Sequence, residues 1–556
     1  MSELSVIIPT HNRAERLRRC LEALGHQTQP ATDFDVIVVN DGSTDATAEM
    51  LAQLEMPFAL RVIHQTQSGQ CTARNRGTDS AARYCLFLDD DVMAGPDLVA
   101  EHLQAQRAGD EVVAIGQLTT RLPASADWFA RCFAQGWHDH YTRLNHGARP
   151  PMWRDCYAAN LSVPRDALLA VGGFAVDLTT NFGPELGYRL QQHGSRFVYL
   201  PAALGEHDDN KNCRQLLRYD EHEGRMLPEL IRRHPDLLPE FLGTFWDTSP
   251  RAVRLRQFFL TLKIPPHRLA PLRRLLLSEH WAWEGFRFLR AYAFWHGVRH
   301  STPDQETWQR MMYRTPILMY HAFGAPDEHP SRFIIPVRRF AQQMAWLKHR
   351  RYHVLSLSEF LSYQSEHQLP PVRSVVITID DGYADVSRLA HPILQRYHFP
   401  ATLFVVSQRV GTANQWDQQG ALAGRPMLDW PDVRQLAREG MEIGAHTRTH
   451  PHLKTLSIER VREEINGSRS DIERELALPV HTFAYPYGEY DEVSETAVKQ
   501  AEFRGSCSTR PGLIAAATAL HALPRIEIQG TDSLLDFVLK LRRGRGVRSV
   551  KTNTAP

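Results

Sequence analysis

The feature that most constrains the fold is a repeated alternation of short β-branched runs with amphipathic helical stretches. Near the start of the chain, LSVIIPT, FDVIVVND and YCLFLDD are separated by helical patterns such as RAERLRRCLEALGHQ. The alternation resumes after residue 315 with SVVITIDD, ATLFVVS and MEIGAH in the strand positions. Such alternation predicts parallel α/β sheets, whose ligands bind at the carboxyl ends of the strands.

The chain has 556 residues, which is more than one hydrophobic core usually supports. Changes in pattern predict an α/β domain over 1–212, a basic helical linker or extension over 213–312, and a second α/β domain over 313–540. The last residues, 541–556, are basic and poor in apolar groups, so we expect a disordered tail.

Composition limits the possible partners and the compartment. The balance of 64 Lys and Arg against 63 Asp and Glu predicts no nucleic-acid partner. The seven cysteines are scattered and free of CxxC spacing, which argues against a disulfide framework or a cysteine zinc site and favours the cytoplasm. No stretch reaches the roughly 18 consecutive apolar residues of a membrane-spanning helix.

Residues 251–300 depart from this balance, with ten Lys or Arg and two Glu. One interpretation is a set of helices that pack on the first domain, with arginine stems covering apolar surface. The other is an interfacial surface attracted to anionic lipid, which would place the protein peripherally at the inner membrane face.

The first acidic cluster lies in LFLDDDV at residues 86–92. Carboxylates spaced D-x-D at a strand end suit a divalent cation that bridges phosphate oxygens. The blocks VIIPTHNR, VIVVNDGSTD, SGQCTARNRG and LFLDDDV occur in this order within residues 4–210. Together they resemble the nucleotide-sugar-binding half of the inverting GT-A glycosyltransferases, in the large family that includes chitin and cellulose synthases.

The resemblance implies a Rossmann-like GT-A domain, a nucleotide-sugar donor and roles for particular residues. Thr10 and Asp41 would contact the nucleoside, and Arg74 or Asn75 would lie near the diphosphate. Asp89 and Asp91 would form the D-x-D element, with Asp91 as the principal ligand of Mg²⁺ or Mn²⁺.

The catalytic base of this domain is an open question in the sequence. Relatives carry a Glu-Asp pair before an LGYRL-type helix, but this chain has Gly183 and Pro184 there. Glu185 is the nearest acid and the predicted base, with Asp177 further upstream. Alternatively, the domain is a non-catalytic nucleotide-sugar or glycan-binding module. His207 is a candidate for a further metal or phosphate contact.

The second acidic cluster, ITIDDGY, is completed by GAHTRTHPHL at residues 444–453. His446 and His450 have metal-ligand spacing, and a carboxylate as third ligand would leave a position for water. Thr447 follows the first histidine where HExxH has glutamate, so a base must come from elsewhere. The adjacent Asp380 and Asp381 can divide these roles, one as ligand and one as base.

These residues, with PATLFVV, WPD and FAYPYG, resemble the metal-dependent polysaccharide deacetylases that include chitin and chitooligosaccharide deacetylases. The resemblance covers about 315–530 and implies a deformed (β/α) barrel. Asp381, His446 and His450 would hold Zn²⁺ or a similar cation, and Asp380 would be the general base.

The resemblance also implies residues around this site. The backbone N–H of Tyr383 would be a second oxyanion donor, and the walls of the sugar groove would be Trp430, Tyr485, Pro486 and Tyr487. Many relatives have an arginine that orients the base at the position of Ala484. His521 is the predicted general acid, and His321 is a further histidine that can approach the site.

The leading hypothesis is a bifunctional enzyme. The first domain would transfer a sugar, an N-acetylhexosamine, to a saccharide or glycolipid acceptor. The second would remove an N-acetyl group from the product or the acceptor. The alternative keeps the deacetylase and makes the first domain a binding module.

Overall fold

The computed structural model describes residues 2–180, 182–208, 211–246, 249–269, 271, 279–326, 328–514 and 518–544. They form two compact units. The first consists of Met1–Arg233 and Ser249–Thr302, and the second of His234–Thr248 and Pro303–Pro556. The segment predicted as a linker is therefore divided between the two units. Of the predicted tail, residues 545–556 lie outside the described residues.

The first unit is built on a mixed eight-stranded sheet with the strand order β3-β2-β1-β4-β7-β6-β8-β5. Strands β1 to β4 pair in parallel, and β7 and β5 run antiparallel to their neighbours. The strands are β1 (Leu4–Thr10), β2 (Phe34–Asp41), β3 (Ala59–Gln65), β4 (Tyr84–Leu88), β5 (Val92–Ala94), β6 (Val112–Thr120), β7 (Asn160–Pro164) and β8 (Arg196–His207).

Helices cover both faces of this sheet. Because side chains alternate along a strand, Val6 and Ile8 of β1 enter one apolar cluster and Ile7 enters the other. The helices are α1 (Ala14–Leu24), α2 (Thr47–Gln53), α3 (Gln70–Asp79), α4 (Leu98–Arg107), α5 (Trp128–Asn145), α6 (Arg165–Ala170), α7 (Phe182–His193), α8 (Cys213–Arg233), α10 (Pro250–Thr261), α11 (Pro266–Leu269) and α12 (Glu279–Ser301).

The second unit contains a curled, parallel sheet with the path β17-β16-β15-β14-β13-β9-β18, and β12 pairs with β13. Its strands are β9 (Ile317–Tyr320), β10 (Ala322–Gly324), β11 (Ile334–Pro336), β12 (His353–Leu355), β13 (Ser374–Ile379), β14 (Thr402–Val405), β15 (Glu442–Ala445), β16 (Thr482–Ala484), β17 (Gly505–Cys507) and β18 (Ile526–Glu527). Strands β10 and β11 form a separate parallel pair.

A parallel bridge joins Cys507 of β17 to Leu523, just before β18, so the two ends of the sheet approach each other. This arrangement confirms the predicted deformed barrel. The helices are α9 (Leu238–Trp246), α13 (Gln305–Met312), α14 (Val337–His349), α15 (Leu357–Ser365), α16 (His391–Tyr397), α17 (Trp430–Arg438), α18 (Ile458–Leu476), α19 (Glu492–Gln500) and α20 (Leu534–Arg543). None of the helices within the described ranges is long and apolar enough to cross a membrane.

Helices α8 and α12 of the first unit cross with their backbones in contact. A Cβ atom added to Gly224 would lie 1.9 Å from the carbonyl oxygen of Phe294, and one added to Gly297 would lie 1.9 Å from that of Glu221. Both distances are far below van der Waals contact, so only glycine permits this approach.

Gly297→Ala is therefore expected to force the two helices apart and to destabilise the first unit by about 1–3 kcal/mol or more. The matched control is Gly136→Ala in α5, where the nearest atom to the new Cβ, Cη2 of Trp283, is 3.9 Å away. That change is expected to stabilise the helix by about 0.5–1 kcal/mol. Urea denaturation followed by tryptophan fluorescence measures both; equal midpoints would contradict the close approach.

Candidate active sites

The acid-bearing strand ends of the first unit meet at one cavity. Thr10 and Asp41 are the last residues of β1 and β2, and Asp89 directly follows β4. All three line a cavity of about 850 Å³, together with Asp91, His207 and residues of α5, α8 and α12. This volume lies within the usual range for a small-molecule site.

Asp91 is the most strongly held carboxylate in this cavity. It lies 2.9 Å from Nη1 of Arg13, 3.2 Å from Nη1 of Arg16 and 3.1 Å from Nε2 of His207. Burial acts to raise its pKa, but the hydrogen bond from His207 and the arginine charges outweigh burial and lower the pKa to about 2. Asp91 therefore lines the cavity as a carboxylate that is charged at neutral pH.

Asp89, Asp91 and His207 each offer a ligand atom, and these atoms lie within 4.8 Å of one another. The two carboxylates suit Mg²⁺ or Mn²⁺, and imidazole is a ligand of first-row transition metals. The structure therefore brings the predicted D-x-D pair together with His207, the last residue of β8, which the sequence offered only as a candidate contact.

Of the other residues predicted to bind the donor, Arg74, Thr10 and Asp41 line the cavity and Asn75 does not. Arg74 is buried beside the cavity, with Nη2 2.5 Å from Oδ1 of Asp89. Thr10 donates a 2.7 Å hydrogen bond to Asp90, and the Asp41 carboxylate accepts from the backbone N–H groups of Ser68 and Gly69. These contacts fix the strand ends that shape the cavity.

Asn75 instead holds a loop, since its amide group donates to the carbonyl of Phe174 at 2.9 Å and accepts from the N–H of Phe174 at 2.8 Å. Asn75 does not line the cavity. Of the two residues proposed for the diphosphate, the geometry therefore favours Arg74.

Glu185 does not face this cavity. It is 1% exposed and forms a bidentate ion pair with Arg189, one turn further along α7, at 2.9 and 2.7 Å. Arg189 in turn donates to the carbonyls of Val171 and Gly173. The geometry gives Glu185 a structural role and does not fit the predicted base. Asp177 pairs with Arg233 and also lies outside the cavity lining.

In the second unit, Asp381, His446 and His450 converge at the carboxyl ends of the strands. Oδ1 of Asp381 lies 3.4 Å from Nε2 of both histidines, and all three side chains are buried. One ligand atom from each lies within 4.8 Å of the others. This is the three-ligand set with an open position that a catalytic zinc site uses.

The hydrogen bonds at this cluster fit a bound cation. Nδ1 of His446 lies 2.7 Å from the carbonyl oxygen of Ala484, so that nitrogen carries the proton and Nε2 keeps its lone pair. Burial lowers the pKa of His450 to about 3, which keeps its imidazole neutral, as metal ligation requires. The donor set therefore fits Zn²⁺ or a similar divalent ion.

Asp380 is held by an arginine that the sequence analysis did not identify. Arg525, fully buried just before β18, places Nη1 2.7 Å from Oδ1 and Nη2 2.7 Å from Oδ2 of Asp380. Burial acts to raise the pKa of Asp380, but the Arg525 charge and hydrogen bonds lower it below the usual value. Arg525 therefore takes the place of the arginine that relatives carry at the position of Ala484. The sequence signal for it was PRIEI, in which Arg525 directly precedes a short strand.

Left-handed backbone is concentrated at this site. Asp381, Thr447, His450 and Tyr487 have φ values of 73°, 64°, 65° and 57°. For non-glycine residues this conformation costs on the order of 1–3 kcal/mol each, and it clusters at functional sites. At Asp381 it turns the side chain away from that of Asp380, so adjacent carboxylates face different partners.

The HTRTH segment is fixed by buried Glu464 of α18. Its carboxylate accepts from the backbone N–H groups of Arg448 and Thr449 at 2.9 Å each, and from the Thr449 hydroxyl at 2.7 Å. These charge-assisted hydrogen bonds hold the strained loop that carries both histidines.

The aromatic residues near the cluster are only partly those predicted. Tyr487 lies against His450, with ring centroids 4.6 Å apart. Trp416, which the sequence analysis missed, stacks on His450 at 4.4 Å. Trp430 instead packs against the core at the start of α17. Tyr485 and Pro486 are buried, so they do not fit the predicted groove wall.

The remaining residues predicted for this site are His321, His521 and Tyr383. His321 follows β9, and the Asp380 N–H donates to the carbonyl of neighbouring Tyr320. The carbonyl of His521 accepts from Tyr485 and Ser506, and among the described residues no hydrogen bond or ion pair joins its ring to the cluster. Tyr383 is buried and its hydroxyl accepts from Asn414.

Comparisons with known proteins match both units. Residues 5–170 match the family model described as Glycosyl transferase family 2, and residues 367–506 match the one described as Polysaccharide deacetylase. Validoxylamine A glucosyltransferase of Streptomyces hygroscopicus subsp. jinggangensis is 31% identical over 284 residues, which are 45% of this chain and 64% of that relative. This chain thus spans less than two thirds of that relative's length.

Poly-beta-1,6-N-acetyl-D-glucosamine N-deacetylase of Staphylococcus aureus (strain MSSA476) is 24% identical over 227 residues, covering 39% of this chain and 75% of that protein. The solved structure of the Streptococcus pyogenes deacetylase PplD in complex with acetate aligns with 26% identity and a TM-score of 0.36, over 41% of this chain and 98% of that chain.

Proposed function

We propose one bifunctional enzyme, because residues 5–170 match the model of glycosyl transferase family 2 and residues 367–506 match that of the polysaccharide deacetylases. It transfers an N-acetylhexosamine from a nucleotide-sugar donor to a saccharide or glycolipid acceptor, and it hydrolyses an N-acetyl group of an N-acetylated saccharide. The observation that carries the proposal is the buried cluster of Asp381, His446 and His450 beside an Asp380 held by Arg525.

For deacetylation, Asp381, His446 and His450 would hold Zn²⁺ or a similar cation. Such an ion would supply Lewis-acid polarisation of the acetamide carbonyl and stabilisation of the charge that develops on its oxygen. Asp380 accepts the proton of the attacking water, and Arg525 fixes both oxygens of Asp380 for that task. Tyr383, through its backbone N–H, is the proposed second donor to the oxyanion.

The leaving amine needs a proton, and His521 and His321 are the candidates. His321 directly follows β9, whose Tyr320 carbonyl accepts from the Asp380 N–H, and this position supports His321. His321→Gln and His521→Gln, assayed side by side on N-acetylated oligosaccharide, distinguish them, since only loss of the true acid abolishes amine release.

For glycosyl transfer, Asp89, Asp91 and His207 would hold Mg²⁺ or Mn²⁺, which would supply positive charge for the departing diphosphate. Arg74 and Arg13 line the same cavity and add positive charge there. Thr10 and Asp41, at the ends of β1 and β2, face the nucleoside. The N-acetylhexosamine assignment follows from the fused deacetylase, which requires an N-acetylated substrate.

The test uses the full chain with a panel of labelled nucleotide sugars, oligosaccharide acceptors, Mn²⁺ and Zn²⁺. Mass spectrometry is expected to detect a product longer by one sugar and a second product lighter by one acetyl group. Donor binding without transfer or donor hydrolysis across the panel would instead favour a non-catalytic N-terminal module. Absence of deacetylation with Zn²⁺ present would reject the second activity.

The proposed location is the cytoplasmic face of an anionic membrane, with α10 in contact. Leu255, Phe258 and Leu262 are 46%, 57% and 54% exposed along one side of this helix, and Arg251 and Lys263 lie exposed beside them. No acidic residue occurs between Ser249 and Glu279. An apolar stripe bordered by cations matches an interfacial helix on anionic lipid.

Leu255→Asp is expected to abolish sedimentation with phosphatidylcholine vesicles that contain phosphatidylserine, because it adds a charge to the stripe. Leu169→Asp in α6 is the matched control, since Leu169 is 45% exposed in the same unit. Sedimentation that is equal for both variants, or equal on vesicles lacking phosphatidylserine, would contradict this contact.

A further inference from the structure

The carboxylates of the glycosyl-transfer cavity differ in their hydrogen bonds and ion pairs. The carboxylates that line the cavity are Asp41, Asp89, Asp90, Asp91 and Glu223. The first four come from the strand ends, and each is tied to backbone N–H groups or to an arginine: Asp41 to Ser68 and Gly69, Asp89 to Arg74, and Asp90 and Asp91 to Arg13. Asp41, Asp89 and Asp91 are assigned to the donor and its cation, which leaves Asp90 and Glu223 for the acceptor hydroxyl, and Asp90 is hydrogen-bonded to Thr10 and Arg13.

Glu223 comes from a different wall of the cavity. On α8, Leu216, Tyr219 and Glu223 are spaced by three and four residues, so they share the helix face that lines the cavity. Arg290 of α12 also lines the cavity, but its guanidinium is engaged by Asp220 in a bidentate pair at 2.9 and 2.5 Å. Among the described residues Glu223 forms no ion pair within 4.0 Å.

The geometry points to Glu223 as the catalytic base of glycosyl transfer, the group that accepts the proton of the acceptor hydroxyl as that oxygen attacks the anomeric carbon. The C–O bond to the nucleoside diphosphate breaks as the new glycosidic bond forms, and the diphosphate leaves with the bonding electrons. This inference rests on the proposed glycosyltransferase activity and assigns the role that neither Gly183, Pro184 nor Glu185 can fill.

The surroundings of Glu223 suit the role. Burial and the charge of Asp220 raise its pKa to about 7, while a hydrogen bond with Tyr219 and the charges of Arg290 and Lys211 act in the opposite direction. Tyr157 also faces Glu223, since burial and the Glu223 charge raise the pKa of Tyr157. A base with a pKa near the working pH takes a proton in the transition state and returns it to water readily.

The test compares Glu223→Gln with the wild type in full-length protein, using the donor and acceptor on which the wild type transfers sugar. We expect kcat for transfer to fall about 100-fold to 10,000-fold. Donor affinity, measured by calorimetry, stays unchanged because Glu223 is assigned to the acceptor. The wild-type rate is expected to rise with pH through about 7, the pKa to which burial raises Glu223, and the variant is expected to lose this dependence. Glu229→Gln, on the same helix and outside the cavity, is the matched control.

Transfer by Glu223→Gln within about threefold of the wild type, with the pH limb intact, would overturn the assignment while leaving the glycosyltransferase in place. Restoration of the pH limb by Glu223→Asp, at a reduced rate, would support a carboxylate base over a structural role. A wild type that binds donors and transfers none would overturn both proposals.

Discussion

Replacing Asp380 with asparagine is expected to lower the rate of N-deacetylation about 100-fold to 10,000-fold, because the amide cannot accept the proton of the attacking water. Asp432→Asn, a partly exposed acid in the first turn of α17, is the matched control. Release of acetate from an N-acetylated oligosaccharide measures both variants. More than about one tenth of the wild-type rate in Asp380→Asn would contradict the assignment of the base.

This substitution also removes one partner of a buried ion pair. Arg525 is fully buried, so Asp380→Asn leaves an uncompensated charge that is expected to cost about 3–5 kcal/mol of stability. The double variant Asp380→Asn with Arg525→Met removes both charges and is expected to recover most of that stability. It should not recover activity, and this separates the loss of catalysis from the loss of folding.

Replacing Asp91 with asparagine is expected to reduce glycosyl transfer about 100-fold or more, because the charge opposite the leaving diphosphate is lost. Mn²⁺-dependent donor binding should weaken in parallel. The structure predicts little effect on stability, since the side chains of Arg13 and Arg16 that contact Asp91 are 45% and 41% exposed and can be solvated.

The matched control for Asp91 is Asp166→Asn, an exposed acid in the first turn of α6. Calorimetric titration of the donor with and without Mn²⁺, followed by a transfer assay, measures the effect. Wild-type transfer in the Asp91 variant would contradict the assignment of the D-x-D pair. The different sizes of the stability changes expected at Asp91 and Asp380 are a further check, because the arginines of the first pair are 45% and 41% exposed and Arg525 is fully buried.

Much of the fold, and the acids at the strand ends, could be predicted from the sequence pattern. Strand and helix periodicity predicts both α/β units, and both the fold class and the two family resemblances are confirmed. Asp89, Asp91, Asp380 and Asp381 directly follow buried strands, and His446 follows another. Parallel strands end at one edge of a sheet, so residues that follow different strands meet there even though they are far apart in sequence.

Other parts of the sites depend on residues that are far apart in sequence, and no local sequence pattern predicts their contacts. Arg525 reaches Asp380 from 145 residues away, and Trp416 reaches His450 from a loop without periodicity. Glu185 shows the reverse case: its position before LGYRL suggested a base, but the helix turns it onto Arg189. A helical residue faces either a cavity or a core according to its neighbours, which the local pattern does not specify.

The sequence by itself determined the two α/β units and the acids at their strand ends, because those features follow from periodicity and from the polarity of a parallel sheet. Only the tertiary structure decided which groups neutralise, orient or leave free each acid. That choice depends on distances between side chains on different elements, as for Arg525 with Asp380 and for Glu223 in the cavity wall, and on left-handed backbone at Asp381 that long-range packing maintains.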